Sequence, residues 1–117
     1  MLCCERCKRL VRGETCPACK KARFLRAPEA GDPVLLCTLR YAMAAMVEPL
    51  LEEEAVPYSK VALGAGALLG GSTILENYSF YVPYGAYEGT VEMLGGIFAQ
   101  DEEICRALRE AADETNA

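Results

Sequence analysis

Val34-Leu-Leu-Cys-Thr-Leu-Arg-Tyr-Ala-Met-Ala-Ala-Met-Val-Glu-Pro-Leu-Leu-Glu-Glu-Glu-Ala-Val-Pro57 is the stretch on which the fold turns. Val34 to Thr38 form a short apolar, β-prone run, which reads as a buried strand. The period then changes from a run to a helix, because Met43, Met46, Val47 and Leu50 recur at i, i+3, i+4 and i+7. Thr38 is a plausible N-cap. Pro49 removes the bond to Ala45 and predicts a kink. Glu52, Glu53 and Glu54 close the helix against its dipole, which points to a cationic neighbour such as the N-terminal segment.

Downstream, Pro57 to Leu63 read as a second strand and Tyr78 to Val82 as a third, stopped by Pro83. A helix is predicted from near Tyr87 to Phe98, with Val91, Leu94 and Phe98 on one face. Gly95-Gly96 either weakens this helix or admits a close neighbour. Asp101 can cap a last helix that turns Ile104, Ala107, Leu108 and Ala111 inward. The order β-α-β-β-α-α predicts an α+β fold, a small ferredoxin-like β-α-β-β-α sandwich with an extra C-terminal helix.

Upstream stands a different unit. Cys4-Glu-Arg-Cys7 and Cys16-Pro-Ala-Cys19 are paired CxxC turns, and Leu10-Val11 and Gly13 between them fit a short hairpin. Two such knuckles bring four thiolates to one point, which suits tetrahedral Zn2+ with Zn–S near about 2.3 Å. The arrangement resembles a zinc ribbon over residues 3–23, although Lys20 stands where ribbon knuckles commonly carry glycine and Lys8 follows Cys7. A rubredoxin-type iron site uses the same four sulfurs, but no aromatic residue lies between these cysteines to shield a redox iron. Four cysteines leave no open coordination position, so the metal role is structural. Cys3 falls outside the CxxC spacing, and Cys37 and Cys105 fall on inward positions as inert small hydrophobes. The organisation expected is a zinc-ribbon module over 1–26, a Pro- and Gly-containing linker over 27–33 and an α+β domain over 34–117.

Composition narrows the function classes. The chain has 117 residues, 52 % of them hydrophobic, with seven cysteines and no histidine or tryptophan. Without histidine, Ser-His-Asp and Cys-His catalysis and His-ligated zinc chemistry are excluded, and no nucleophile–base pair can be assembled. The net charge of −5 conceals an asymmetry. Residues 1–26 carry eight basic and two acidic side chains, a charge of +6, whereas 27–117 carry four basic and fifteen acidic, a charge of −11. The two units can attract and dock, or the cationic one can meet an anionic partner. Charged Glu5, Arg6, Lys8 and Arg9 stand where a signal peptide would be apolar. The apolar run between Lys60 and Glu76 is broken by glycines and too short for a membrane span. With an odd cysteine count, these features lead us to expect a cytoplasmic protein off the membrane.

The run Leu36-Cys-Thr-Leu-Arg-Tyr-Ala with Val47-Glu-Pro-Leu-Leu-Glu-Glu-Glu-Ala-Val-Pro-Tyr58 resembles the prokaryotic signal-transducing domain family, bacterial proteins related in fold to the PII nitrogen regulators. Tyr81-Val-Pro83 resembles the family's closing strand, and the likeness spans about residues 34–98. Ala55 departs from the family's helix-ending glycine, and the insertion before Tyr78 is long. The resemblance implies a PII-like, non-catalytic regulatory module that binds a small molecule or a protein. The family commonly sits beside zinc ribbons.

Two further features bear on ligands. Gly64, Gly66, Gly70, Gly71 and Ser72 approach phosphate-loop patterns, but Ser72 replaces the required lysine and Leu69 stands where G-x-G-x-x-G needs glycine. The segment is either a hairpin loop or a ligand-responsive loop. Tyr78, Tyr81, Tyr84 and Tyr87 serve core and edge packing, or a binding surface or homo-oligomer interface with Tyr81 on the outer face. The alternative function is a nucleic-acid-associated protein that uses the basic ribbon, which has Phe24 as its one aromatic.

Overall fold

The structure, a computed structural model, describes residues 2–11, 13–16, 19–63 and 77–113. In the N-terminal head, the turn at 5–8 folds β1 (Leu2–Cys4) antiparallel onto β2 (Arg9–Val11), and β3 (Leu25–Arg26) adds to the other edge of β1. In the body, β4 (Pro33–Arg40) leads into α1 (Tyr41–Glu53), then β5 (Ser59–Ala62), β6 (Asn77–Pro83), α2 (Tyr84–Ile97) and α3 (Glu102–Asp113). The body sheet has the order β4-β6-β5, and both pairings are antiparallel. β4 and β5 therefore run parallel, which requires a crossover, and α1 supplies it. The chain is thus a mixed α+β protein with two antiparallel sheets and three helices among the described residues.

The buried run on β4 has a specific cause. Leu35 pairs with Tyr81 and Cys37 with Phe80, so Leu36 is the extra residue of a β-bulge. The bulge breaks the alternation of faces, and Val34, Leu35, Leu36 and Cys37 are all buried. Val34, Leu36 and Cys37 meet Phe80, Val82, Leu51, Leu94 and Ile104 in one core. Strand character continues to Arg40, so Thr38 does not cap α1. Its hydroxyl instead lies 2.9 Å from that of Ser79 across the sheet. Arg40 takes the N-cap position without a side-chain cap.

The face expected for α1 forms in part. The helix buries Ala44, Val47 and Leu51, whereas Met46 is 45 % exposed and Met43 and Leu50 sit at the rim. Small Ala44 lets the backbone lie close to the sheet, and of the expected face only Met46 turns away from the core. Pro49 lies inside the helix on its exposed side with Ala45, so the carbonyl it deprives of a partner faces water. The helix ends in a Schellman motif: Val56 N–H donates to Leu51 O at 2.9 Å and Ala55 N–H to Glu52 O at 3.1 Å. Ala55 is left-handed there, with φ 54°.

α2 begins three residues before the expected Tyr87. Its first turn takes its acceptors from the segment that joins head and body: Tyr84 N–H donates to Asp32 O at 2.7 Å and Gly85 N–H to Ala30 O at 2.9 Å. Gly95 and Gly96 admit no close neighbour, since a Cβ on either would meet nothing within 4 Å. α3 follows expectation. Asp101 Oδ1 accepts from Ile104 N–H at 3.1 Å, and Ile104, Leu108 and Ala111 are buried. Among the described residues, no helix is long and apolar enough to cross a membrane.

Candidate metal centre

Each CxxC turn closes in the same way. Lys8 N–H donates to Cys4 O and Lys20 N–H to Cys16 O, both at 2.7 Å. Lys8 has φ 55° and Lys20 φ 59°, so the residue after the second cysteine is left-handed in both. This matches the sequence signal, because that position is where a glycine would meet no strain. Cys16 N–H also donates to Lys21 O at 3.1 Å, which ties the start of the second turn to the residue that follows Lys20.

The two turns bring Cys4, Cys7, Cys16 and Cys19 together, with all four Sγ atoms within 4.8 Å of one another. Cys4 Sγ and Cys19 Sγ are 3.8 Å apart. Cys4 and Cys16 are fully buried and the other two half-buried, with Val11, Phe24 and Leu25 around them. Four soft donors this close could hold a metal ion. Burial raises the thiol pKa of Cys4, and burial with the neighbouring thiols pushes that of Cys7 up to about 12. Loading a cation therefore has to displace protons, and the site binds more weakly as pH falls.

The head is joined to the body by three kinds of contact. Cys3, next to Cys4 of the cluster, is buried with Leu10 in the body's core. Leu35 N–H donates to Lys8 O at 2.8 Å. Arg26 forms a two-pronged pair with Asp32, at 2.7 and 2.8 Å, and also pairs with Glu5 beside Cys4. The Arg26 guanidinium, with Glu29 N–H, holds the Asp32 carboxyl below its ordinary range. A cleft of about 280 Å³ between head and body is lined by Cys3, Cys4, Glu5, Lys8, Arg26, Asp32 and Pro33. Net charge alone implies only a general attraction between the two units. The actual links, Arg26 to Asp32 and Cys3 to the core, connect residues whose partners no local pattern reveals.

The other sequence-derived site residues do not converge on this centre. Gly64, Gly66, Gly70, Gly71 and Ser72 lie outside the described residues. Tyr81 is half-buried in the middle of β6, opposite Leu35 and Ser59. Tyr78 is buried against Tyr41, with ring centroids 6.5 Å apart, and Lys60 Nζ stands 4.9 Å over its ring. Tyr84 and Tyr87 pack at the core's rim. Of the remaining thiols, Cys37 is fully buried and Cys105 donates to Phe98 O at 3.1 Å.

On α1, Glu48 and, of the acidic end, Glu52 find partners within the body. Tyr58 OH donates to Glu48 at 2.9 Å and to Glu52 at 3.1 Å, and Lys60 Nζ reaches Glu48 at 2.8 Å. Comparison of the chain with protein-family models, curated proteins and solved structures finds no match.

Proposed function

We infer that the chain is a non-catalytic regulatory or binding module, a PII-like signal-transducing unit that carries one structural Zn2+ on Cys4, Cys7, Cys16 and Cys19. The sulfur geometry carries this reading. A tetrahedral Zn2+ with Zn–S of about 2.3 Å needs S···S edges of about 3.8 Å, and Cys4 and Cys19 stand 3.8 Å apart. The donor set is all sulfur, its two anchoring members are fully buried, and four thiolates leave no position for substrate.

The body supports the regulatory half less directly. In a ferredoxin-like sandwich the first and third strands are neighbours and the second lies outside, and β4-β6-β5 follows that order. The motifs that resemble the signal-transducing family fall on the end of α1 and the end of β6. A non-catalytic role fits the thiol inventory, because burial pushes Cys37 up to about 12 and leaves it unreactive.

Elemental analysis of the purified chain tests the metal. One equivalent of zinc is expected, and it is lost in Cys16→Ser. Stoichiometric iron would replace zinc in the reading, and metal retained by Cys16→Ser would remove the site. A thermal-shift panel of nucleotides and small anions, run on the wild type and on Tyr81→Ala, tests the regulatory half. A ligand-dependent rise that the variant loses supports it, and no response to any compound counts against it.

A further inference from the structure

The head displays more cationic charge than its own structure uses. Arg6, Lys8, Lys20, Lys21 and Arg23 are all exposed. Among the described residues, none of the five has a carboxylate at ion-pair distance. The nearby acid Glu5 is taken by Arg26. The five cations belong to one small unit. Lys8 and Lys20 each follow a cysteine of the same four-sulfur cluster. The guanidinium carbons of Arg23 and Arg6 lie 4.9 and 5.8 Å from the centroid of the Phe24 ring.

Two observations favour one kind of anionic partner. Protein interfaces are built on apolar centres depleted in lysine, whereas in the described part of the head only Leu2 is a large exposed hydrophobe. Single-stranded nucleic acid asks for the features present here: point charges without carboxylate partners for the backbone, and guanidinium planes, held over an aromatic ring, on which a base can stack. We propose that the metal-folded head binds the phosphate backbone of single-stranded nucleic acid through the charges of Arg6, Lys8, Lys20, Lys21 and Arg23, with the outer faces of the Arg6 and Arg23 guanidiniums, held over Phe24, as the surface on which a base stacks. The proposal rests on the head being held by its metal. It names the partner of the module above. A surface built over one aromatic ring accommodates few bases, so binding is tolerant of sequence and dominated by charge.

The magnitude follows from counterion release. Each neutralised phosphate of a single strand contributes a slope of about −0.7 in log K against log salt, so five contacts give roughly −3.5. Affinity then falls about a hundredfold between 50 and 200 mM salt.

The test is fluorescence anisotropy of a labelled 12-nucleotide oligo-U and oligo-dT across that salt range. The key variant is Lys8→Gly/Lys20→Gly. Glycine is unstrained where both lysines are left-handed, so the double variant keeps its fold while losing two charges. Its slope is expected to drop to roughly −2, and zinc content measured in parallel shows that the head is intact. Arg6→Gln/Arg23→Gln is expected to lower affinity to a similar degree by a different route.

Absence of wild-type binding at 50 mM salt, in protein with full metal content, overturns the proposal and leaves the metal reading standing. So does a slope unchanged in both variants. Salt-sensitive self-association without oligonucleotide binding also overturns it, and would assign the head to the acidic body of a second copy.

Discussion

Ala55→Gly should stabilise this protein. Ala55 is the left-handed residue of the Schellman motif that ends α1, with φ 54°, and its N–H and that of Val56 close the motif on Glu52 and Leu51. An L-residue with a Cβ pays about 1–2 kcal/mol to stand there. Glycine removes that cost and gives back about 0.5–1 kcal/mol through its larger backbone entropy when unfolded. The net gain is therefore about 0.5–1 kcal/mol. Ala55 is exposed, so no packing is lost. A chain of this size shifts by roughly 4 °C in Tm per kcal/mol, so a rise of about 2–4 °C is expected by calorimetry, with the urea midpoint moving the same way. A lowered or unchanged Tm in fully metal-loaded protein would refute the reasoning, because it would mean that the helix does not end in a left-handed residue.

Leu10→Ala tests whether head and body share one core. Leu10 is buried among body residues, so truncation should cost about 2–3 kcal/mol and lower a single cooperative urea transition. Two separate transitions, with the later one unmoved, would contradict this. Gly96→Ala should add up to about 1 kcal/mol of stability, since the position is helical and a Cβ there meets nothing. Loss of stability in urea titration would show that something packs there after all. Lys60 holds the Glu48 carboxyl below its ordinary range, and Glu48 in turn raises Lys60. The pair therefore contributes most between the two groups' titrations, and its contribution fades as pH falls through the lowered Glu48 value. The stability gap between wild type and Lys60→Met should thus be largest near neutral pH and close towards pH 3. A gap that persists there would remove the ion pair as its cause.

The convergence of four cysteines was legible because CxxC spacing is local chemistry. The left-handed turns at Lys8 and Lys20 were not, because lysine has no preference for that conformation and only the glycine common at that place hints at it. The α1 stripe was legible in part: Val47 is buried and Met43 and Leu50 pack against the core, but Met46 is exposed and the small Ala44 and Leu51 complete the buried face. No pattern in Met43, Met46, Val47 and Leu50 reports where the preceding strand stops. The capping role of Asp101 was legible because an N-cap acts within three residues. Cys3 in the body's core and Arg26 on Asp32 were not, because each depends on how two separately patterned units meet.

Ala30 and Asp32 lend their carbonyls to the first two N–H groups of α2. They lie in a segment whose composition is that of a spacer. A spacer can change length freely, but this one cannot. An insertion between Arg26 and Pro33 would slide the acceptors off the helix end and leave two amide protons without partners. The four-cysteine head could therefore be exchanged for another only if its connector kept the same reach. In this chain the constraint on shuffling lies in the number of residues between the two units rather than in their chemistry.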